Sequence, residues 1–105
     1  MPLIYIKSHR TDEGFILAMC DQSLLGSVLE DGDTFIDIKS YAEFYRGDLV
    51  DGEGALSRID RGSIMSVNAV GKEAVDAAID ASLIKSDSVR YVKGVPYAQA
   101  FRVDY

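Results

Sequence analysis

The chain is poor in the residues that build covalently linked or metal-stabilised folds. Its 105 residues include one cysteine, one histidine, two prolines and no tryptophan. A single cysteine excludes an internal disulfide, and one cysteine with one histidine are too few for a typical four-ligand zinc site. We therefore expect a protein of a reducing compartment, the cytoplasm, that needs no structural metal.

Long apolar runs are also absent. No run approaches the roughly 20 residues that cross a bilayer, so no membrane association is expected. The segment Met1–Lys7 alternates in polarity and lacks the basic region and apolar core of a secretory signal. With 48% hydrophobic and 27% charged residues, the composition is typical of a globular chain. Its length predicts a single domain over residues 1–105.

Positive charge is scarce in the first half of the chain. Residues 12–53 hold eleven acids and two bases, a charge of −9, within a chain of net charge −6, so the remainder carries +3. The bases gather near the C-terminal end, at Lys85, Arg90, Lys93 and Arg102. An acidic body repels phosphates, and such an asymmetry governs encounter rather than fold. The C-terminal end is therefore the part that we expect to dock.

The strongest periodicity lies in residues 64–84. Residues 64–67 alternate briefly, and residues 72–81 then carry apolar side chains at three- and four-residue steps opposite a charged face. The apolar stripe consists of Val70, Ala74, Val75, Ala78 and Ile79. This pattern predicts an amphipathic helix that covers a sheet.

The other apolar segments are short and alternate as strands do. They predict a hairpin near each end of the chain (3–8 with 15–20, and 89–93 with 97–103), a strand at 34–38, and short helices at 40–45 and 55–59. Helices interrupt the strands rather than alternating with them. We therefore predict an α+β two-layer fold, in which a mostly antiparallel sheet has hairpins at both ends and carries the main helix plus the short helices on one face.

Cys20 and His9 are the obvious nucleophile and base to test. The predicted hairpin pairs His9 with Phe15, which leaves Cys20 five residues further along, about 17 Å away at the usual strand rise. Because five is odd, the two side chains are predicted to point to opposite faces. We expect a buried Cys20, a solvated His9 and no catalytic dyad.

The acids and glycines form no recognised ligand loop. Asp31, Asp33 and Asp37 lack the glycine and glutamate that continue a calcium loop. The segment 52–54 has the first two glycines of a dinucleotide fingerprint but no third. The motifs of P-loops, serine hydrolases and zinc peptidases are missing. The sequence thus predicts no catalytic residue, metal site or cofactor.

The start of the main helix has two interpretations. Unpaired N–H groups at a helix N-terminus bind anions, and Gly71 with Lys72 would suit such a site. Alternatively, Asn68 caps the helix with its side chain. Glu73 already complements the helix dipole in the first turn, so we favour capping.

The C-terminal hairpin interleaves cations with aromatic rings. These residues are Arg90, Lys93 and Arg102 with Tyr91, Tyr97 and Phe101. Rings beside cations suit RNA and other single strands. The alternative, which we favour, is that the rings lie in the core and the bases rim the sheet. The hairpin is still the best binding face that the sequence offers.

A set of short segments recurs in one order along the chain. They are Cys20-Asp21 with Leu24-Leu25-Gly26, then Phe44-Tyr45-Arg46-Gly47, Asn68–Val75 and Gly94–Gln99. Together they resemble an archaeal family that is defined only as a domain of unknown function, DUF424. The resemblance implies a small α+β archaeal protein without an established activity, in a neighbourhood of translation and ribosome-related proteins. Tyr97 departs from the family pattern, which has a histidine there, so no acid–base or metal role is implied for it.

Three hypotheses remain, and we favour the first. It is a non-catalytic cytoplasmic binding module, associated with translation or ribosomal RNA, whose basic C-terminal hairpin meets RNA or an acidic protein. The second is an enzyme for a small molecule, with a site drawn from Asp21, Tyr45, Asn68, Tyr97 and Gln99. The third is a homo-oligomer, such as a homodimer, built from pairing strand edges. The candidate binding residues are Tyr45, Arg46, Asn68, Gly71, Lys72, Arg90, Lys93, Tyr97, Gln99 and Arg102.

Overall fold

The computed structural model describes residues 2–101, which form eight strands, three α-helices and three 3-10 turns. The strands are β1 (Ile4–Thr11), β2 (Gly14–Asp21), β3 (Val28–Asp31), β4 (Thr34–Asp37), β5 (Asp48–Val50), β6 (Ile64–Val70), β7 (Arg90–Val92) and β8 (Val95–Phe101). The helices are α1 (Ala42–Tyr45), α2 (Gly52–Arg58) and α3 (Lys72–Asp80), and the 3-10 turns are Gln22–Leu24, Arg61–Ser63 and Ser86–Ser88. Within this range, no helix has both the length and the apolar character needed to cross a bilayer.

Six strands form one sheet in the order β5-β1-β2-β6-β8-β7, and β3 with β4 forms a separate hairpin. Neighbouring strands of the large sheet are antiparallel, except that β2 and β6 are parallel. The hairpins predicted near the two ends are β1–β2 and β7–β8, and the predicted main helix is α3. The predicted α+β class with a mostly antiparallel sheet is therefore confirmed. That the chain is a single domain stays a prediction.

The central strand β2 is buried on both faces. Leu17, Ala18, Met19 and Cys20 are consecutive, and each is at most 3% exposed. Because successive side chains of a strand point to opposite sides, such a run requires a cover on each side of the sheet. Leu17 and Met19 pack in one apolar cluster, and Ala18 and Cys20 pack in a second.

The first cluster lies under α2 and α3. Ala74, Val75 and Ala78 are buried there, and Ile79 packs against them half-exposed, so four members of the predicted stripe meet the sheet. The fifth, Val70, is a correction. It ends β6 rather than entering the helix, and it faces the second cluster on the opposite side.

The second cluster lies under the β3–β4 hairpin and α1. Ile38 and Tyr45 are buried in it against Ala18 and Cys20. The prediction that the short helices share the face of the main helix is therefore met by α2 but not by α1. The reason is that the far side of β2 is apolar as well, and the aromatic residues of α1 help to cover it.

Candidate functional site

The strand register brings four of the predicted binding residues to one face of the sheet. Asn68 of β6 lies opposite Gln99 of β8, and Tyr97 of β8 lies opposite Arg90 of β7. Directly paired residues share a face, and alternate residues of a strand return to it. All four side chains thus lie on the side away from α3, and Phe101 follows on the same side of β8. We call these five residues the β8 patch.

Much of the β8 patch is open to solvent. Phe101 is 68% exposed, Gln99 and Arg90 are exposed, and Asn68 and Tyr97 are half-buried. Opposite residues of an antiparallel pair have Cβ atoms about 5 Å apart, so the two amides are neighbours. In the described part of the chain, no hydrogen bond engages the side chain of Asn68 or Gln99. Each amide offers one acceptor and a donor group to a ligand.

Two other predicted residues, Tyr45 and Arg46, lie elsewhere. Tyr45 is 9% exposed and belongs to the second cluster, where burial, and next the nearby Cys20, raises the pKa of its phenol to about 12. Arg46 is exposed and pairs with Glu43 at 2.7 Å on α1. Tyr45 is therefore part of the core. Arg46 follows α1 and lies in none of the strands that form the β8 patch.

Cys20 and His9 require a correction. The register pairs His9 with Ile16, not Phe15, so His9 and Cys20 lie on the same face, four positions apart. At the usual strand rise that is still about 13 Å. His9 is hydrogen-bonded through Nε2 to the Phe44 carbonyl at 2.8 Å, and its ring stacks on that of Phe44 at 4.6 Å. His9 is thus fixed against α1, and the expectation of a solvated side chain is wrong.

The thiol of Cys20 is not an activated nucleophile. The side chain is fully buried, and Sγ donates a hydrogen bond to the Asp21 carbonyl at 3.3 Å. Burial, and next the charge of Asp21, raises the pKa of the thiol to about 12. A buried neutral thiol is inert, because the thiolate is the reactive form.

The N-terminus of α3 is capped from a distant strand. Oδ1 of Asp21 accepts a hydrogen bond from the Ala74 N–H at 2.8 Å, and Oδ2 accepts one from the Glu73 N–H at 3.2 Å. The two interpretations made from the sequence are therefore corrected: Asn68 lies in β6 and does not cap, and a carboxylate of the protein itself takes the place of an external anion. Lys72 pairs with Asp76 at 3.0 Å on the exposed side.

Gly71 is what allows Asp21 to approach. A Cβ at this position would lie 2.3 Å from Cγ of Asp21, and the φ angle of +106° disfavours any residue other than glycine. Desolvation raises the pKa of Asp21, whereas the two backbone N–H groups lower it, and the net direction is upward. Gly71 is thus a structural residue rather than a contact for a ligand.

The remaining predicted residues lie at the C-terminal end. Lys93 and Gly94 form the two-residue turn of β7–β8, with φ angles of +51° and +77°, as this kind of hairpin requires. Lys93 is exposed at the tip of the strand pair that carries Arg90. Arg102 lies outside the described residues.

Two surface grooves lie away from the residues proposed for a small-molecule site. One groove of about 560 Å³ runs along the edge formed by β1 and β5, lined by Ile6, Lys7, Ser8, Gly47, Asp48 and Arg58. Another, of about 210 Å³, lies beside Gly14 and Met65. Neither groove is lined by the five residues proposed for a catalytic site. Among residues 2–101, no group of three or more acids, histidines or cysteines is arranged to hold a metal ion.

Comparison with known proteins supplies a family. The model of the family described as "Protein of unknown function (DUF424)" matches residues 9–103. The chain belongs to the DUF424 family. A crystal structure of an uncharacterized conserved protein from Methanopyrus kandleri has the same fold, with a TM-score of 0.80 and 26% identity over 98% of this chain and 96% of that one. Among curated proteins, no match was found.

The segments that carry the DUF424 resemblance have structural roles in this chain. Asp21 and Gly71 form the helix cap, and Tyr45 fills the core. Gly47 is required where the chain enters β5, because a Cβ there would lie 2.1 Å from the Ile6 carbonyl oxygen. Gly94 serves the β7–β8 turn. Of the resembling segments, the last one also supplies Tyr97 and Gln99 to the β8 patch.

Proposed function

We propose that this DUF424 protein is a non-catalytic module that binds single-stranded RNA on the β8 patch. The observation that carries the proposal is the register of β6, β8 and β7. It sets an exposed ring, two neighbouring amides and an arginine on one open face. Sheet surfaces of this composition bind single strands elsewhere by stacking bases on rings and bonding their edges to polar side chains.

Four residues of the β8 patch have separate tasks in this proposal, and the fifth, Tyr97, packs against the second cluster. Phe101 stacks on a base, because its ring is largely exposed. The amides of Gln99 and Asn68 bond to base edges, and Arg90 neutralises a phosphate. Arg90 pairs with Tyr97, and Phe101 lies four residues further along β8. The separation of Arg90 and Phe101 along the strand is therefore about 13 Å, which corresponds to about two or three nucleotides of an extended strand.

The net charge of −6 limits the affinity. Most of the surface repels phosphates, so binding must come from stacking and from the local bases Arg90 and Lys93. We therefore expect a weak complex that salt disrupts and that duplex RNA does not form, because paired bases cannot stack on Phe101. Association with translation or ribosomal RNA, and a cytoplasmic location, are parts of this proposal. The family resemblance and the buried free thiol support them.

The test is fluorescence anisotropy with labelled ten-nucleotide RNAs at low salt. Phe101→Ala should weaken binding roughly fivefold to a hundredfold, the range given by one stacked base. Tyr91→Ala is the matched control, since Tyr91 is 67% exposed but pairs with Pro96 on the other side of the strand. Absence of binding by the native protein, or an equal loss in both variants, would refute the proposal.

A homo-oligomer is the second candidate, favoured by the open edge of β1. Strand β5 pairs with β1 only at Ile4–Ile6, so the rest of β1 has no partner strand on that side within residues 2–101. Such an edge is a template for another strand. Light scattering over a range of concentrations tests this, and Ser8→Pro, which removes one edge N–H, should return any dimer to the monomer.

A further inference from the structure

The β3–β4 hairpin has an apolar outer surface that faces away from the sheet. Leu29 and Ile36, which are paired, pack inward against the second cluster. The flanking pairs, Val28 with Asp37 and Glu30 with Phe35, must therefore lie outward, because strand side chains alternate. We call Val28, Glu30, Phe35 and Asp37 the hairpin face.

Two of these residues are more exposed than large apolar side chains in a sheet usually are. Val28 is 47% exposed and Phe35 is 59% exposed. They belong to the two pairs that flank Leu29 and Ile36, so they are diagonal neighbours across the hairpin, about 7–8 Å apart. Tyr41, which is 65% exposed, follows soon after β4. Clustered apolar side chains with a polar rim are typical of protein interaction sites.

Acids dominate the charge of the hairpin itself, although Lys39 acts on Asp37 and β3 contacts β7, the strand that begins with Arg90. Residues 28–37 contain four acids and no base. The ion pairs found within the described residues lie elsewhere, at Arg46, Arg58 and Lys72. The Asp37 carboxylate accepts a hydrogen bond from the Ser40 N–H at 2.8 Å, which lowers the pKa of that carboxyl and keeps it ionised. The hairpin face therefore carries two apolar side chains on one diagonal and two carboxylates on the other.

We propose that the hairpin face docks a basic segment of another protein, one that presents apolar side chains between lysines or arginines. Phe35 and Val28 supply the apolar anchor, and the surrounding carboxylates select and orient a cationic partner. RNA is excluded here because the same carboxylates repel phosphates. The hairpin face points away from the sheet, whereas the β8 patch lies on the sheet beside the hairpin, because β3 contacts β7. The proposed docking is argued from the hairpin face alone and does not rest on the proposed RNA binding.

The test uses three synthetic fluorescein-labelled peptides with the full chain. One alternates lysine and leucine, the second has glutamate in place of lysine, and the third has serine in place of leucine. The first should bind with a salt-dependent affinity, and the other two should not. Binding of the glutamate peptide as tightly as the lysine peptide would overturn the charge argument, and equal binding of the serine peptide would overturn the apolar one.

Variants then assign the binding to the hairpin face. Phe35→Ser should weaken the lysine–leucine peptide by about tenfold, as expected for an interface anchor, while Tyr91→Ser, an equally exposed aromatic on β7, should leave it nearly unchanged. Glu30→Gln, which leaves the apolar pair intact, should reduce the salt dependence, whereas Glu13→Gln at the β1–β2 turn should not. Equal losses for Phe35→Ser and Tyr91→Ser, or none for Phe35→Ser with circular dichroism unchanged, would refute the assignment.

Discussion

An oxygen of the Asp21 carboxylate accepts a hydrogen bond from the backbone N–H of Ala74, across 53 positions of the sequence. This contact joins the end of β2 to the start of α3. A second bond, to the Glu73 N–H, fixes the direction in which the helix leaves the sheet. The helix in turn covers one face of β2 and β6, and their opposite face is the one that continues into the β8 patch. The cap thus helps to hold the scaffold on which the proposed binding residues stand.

Removal of this cap should destabilise the protein. Asp21→Ala leaves two N–H groups of α3 without their acceptor, and we expect a loss of about 1–2 kcal/mol in the free energy of unfolding. Urea denaturation followed by circular dichroism measures it. Asn68→Ala is the control, because Asn68 was the cap expected from the sequence and makes no such bond. A comparable loss in Asn68→Ala would contradict the assignment of the cap.

The close approach at Gly47 predicts a contrast between two glycines. Gly47→Ala places a Cβ 2.1 Å from the Ile6 carbonyl oxygen, so β5 has to move away from β1. We expect a loss of about 2 kcal/mol or more. At Gly52 a Cβ meets no atom within 4 Å, so Gly52→Ala at the start of α2 should be neutral or stabilising by about 0.5 kcal/mol. Thermal melting of the two variants measures this contrast. A Gly47→Ala variant as stable as the native protein would refute the close approach of Gly47 to Ile6.

The buried thiol of Cys20 and the buried phenol of Tyr45 predict that the protein loses stability at alkaline pH. Burial raises the pKa of Cys20 from 9.0, and that of Tyr45 from 10.0, to about 12 in the folded protein. Their contribution to stability is therefore complete below about pH 9. It is lost as the pH rises towards 12, because the unfolded chain ionises first. Between its unfolded and its folded pKa, each group lowers the free energy of unfolding by at most about 1.4 kcal/mol per pH unit.

Urea midpoints between pH 8 and pH 11 measure this loss. The native protein should weaken steadily above pH 9, and Cys20→Ala should show a shallower decline, although its stability at pH 8 will be lower because a buried side chain is truncated. Identical slopes for the two proteins would show that the thiol is not held neutral by the fold.

Charge reversal distinguishes the β8 patch from general electrostatics. Arg90→Glu and Arg58→Glu change the net charge equally, but Arg58 lies on α2, which packs on the other side of the sheet. Arg90→Glu should weaken RNA binding about tenfold or more and lower the slope of log affinity against log salt by about 1. Arg58→Glu should have a much smaller effect. Equal effects would place the binding outside the β8 patch.

The sequence was sufficient for the elements with strong local signals. The stripe of α3 has helical spacing throughout, and both terminal hairpins alternate clearly, so the fold class follows from periodicity. The same alternation alone sets Tyr97, Gln99 and Phe101 of β8 on one face. That Asn68 and Arg90 are their neighbours follows only from the pairing of β8 with β6 and β7. Pairing between distant segments leaves no local signal in the sequence.

The errors have equally specific causes. The predicted register of β1 with β2 differs from the observed one by one residue, and such a shift moves a side chain to the other face, as it does for His9. The apolar run that ends at Val70 fits a buried strand as well as a helix, so Asn68 was assigned to the wrong element. The exposed side of Phe35 does not follow from the sequence, because no partner is predicted for the strand at 34–38 and its partner β3 is only four residues long.

The most direct test of the account is a nitrogen-15 NMR titration of the native protein with a ten-nucleotide single-stranded RNA at low salt. Backbone amide shifts should concentrate in β8 from Tyr97 to Phe101, with Asn68 and Arg90, and α2 on the other side of the sheet should stay unperturbed. Shifts centred on the hairpin or on α2, or an unchanged spectrum at saturating RNA, would contradict it.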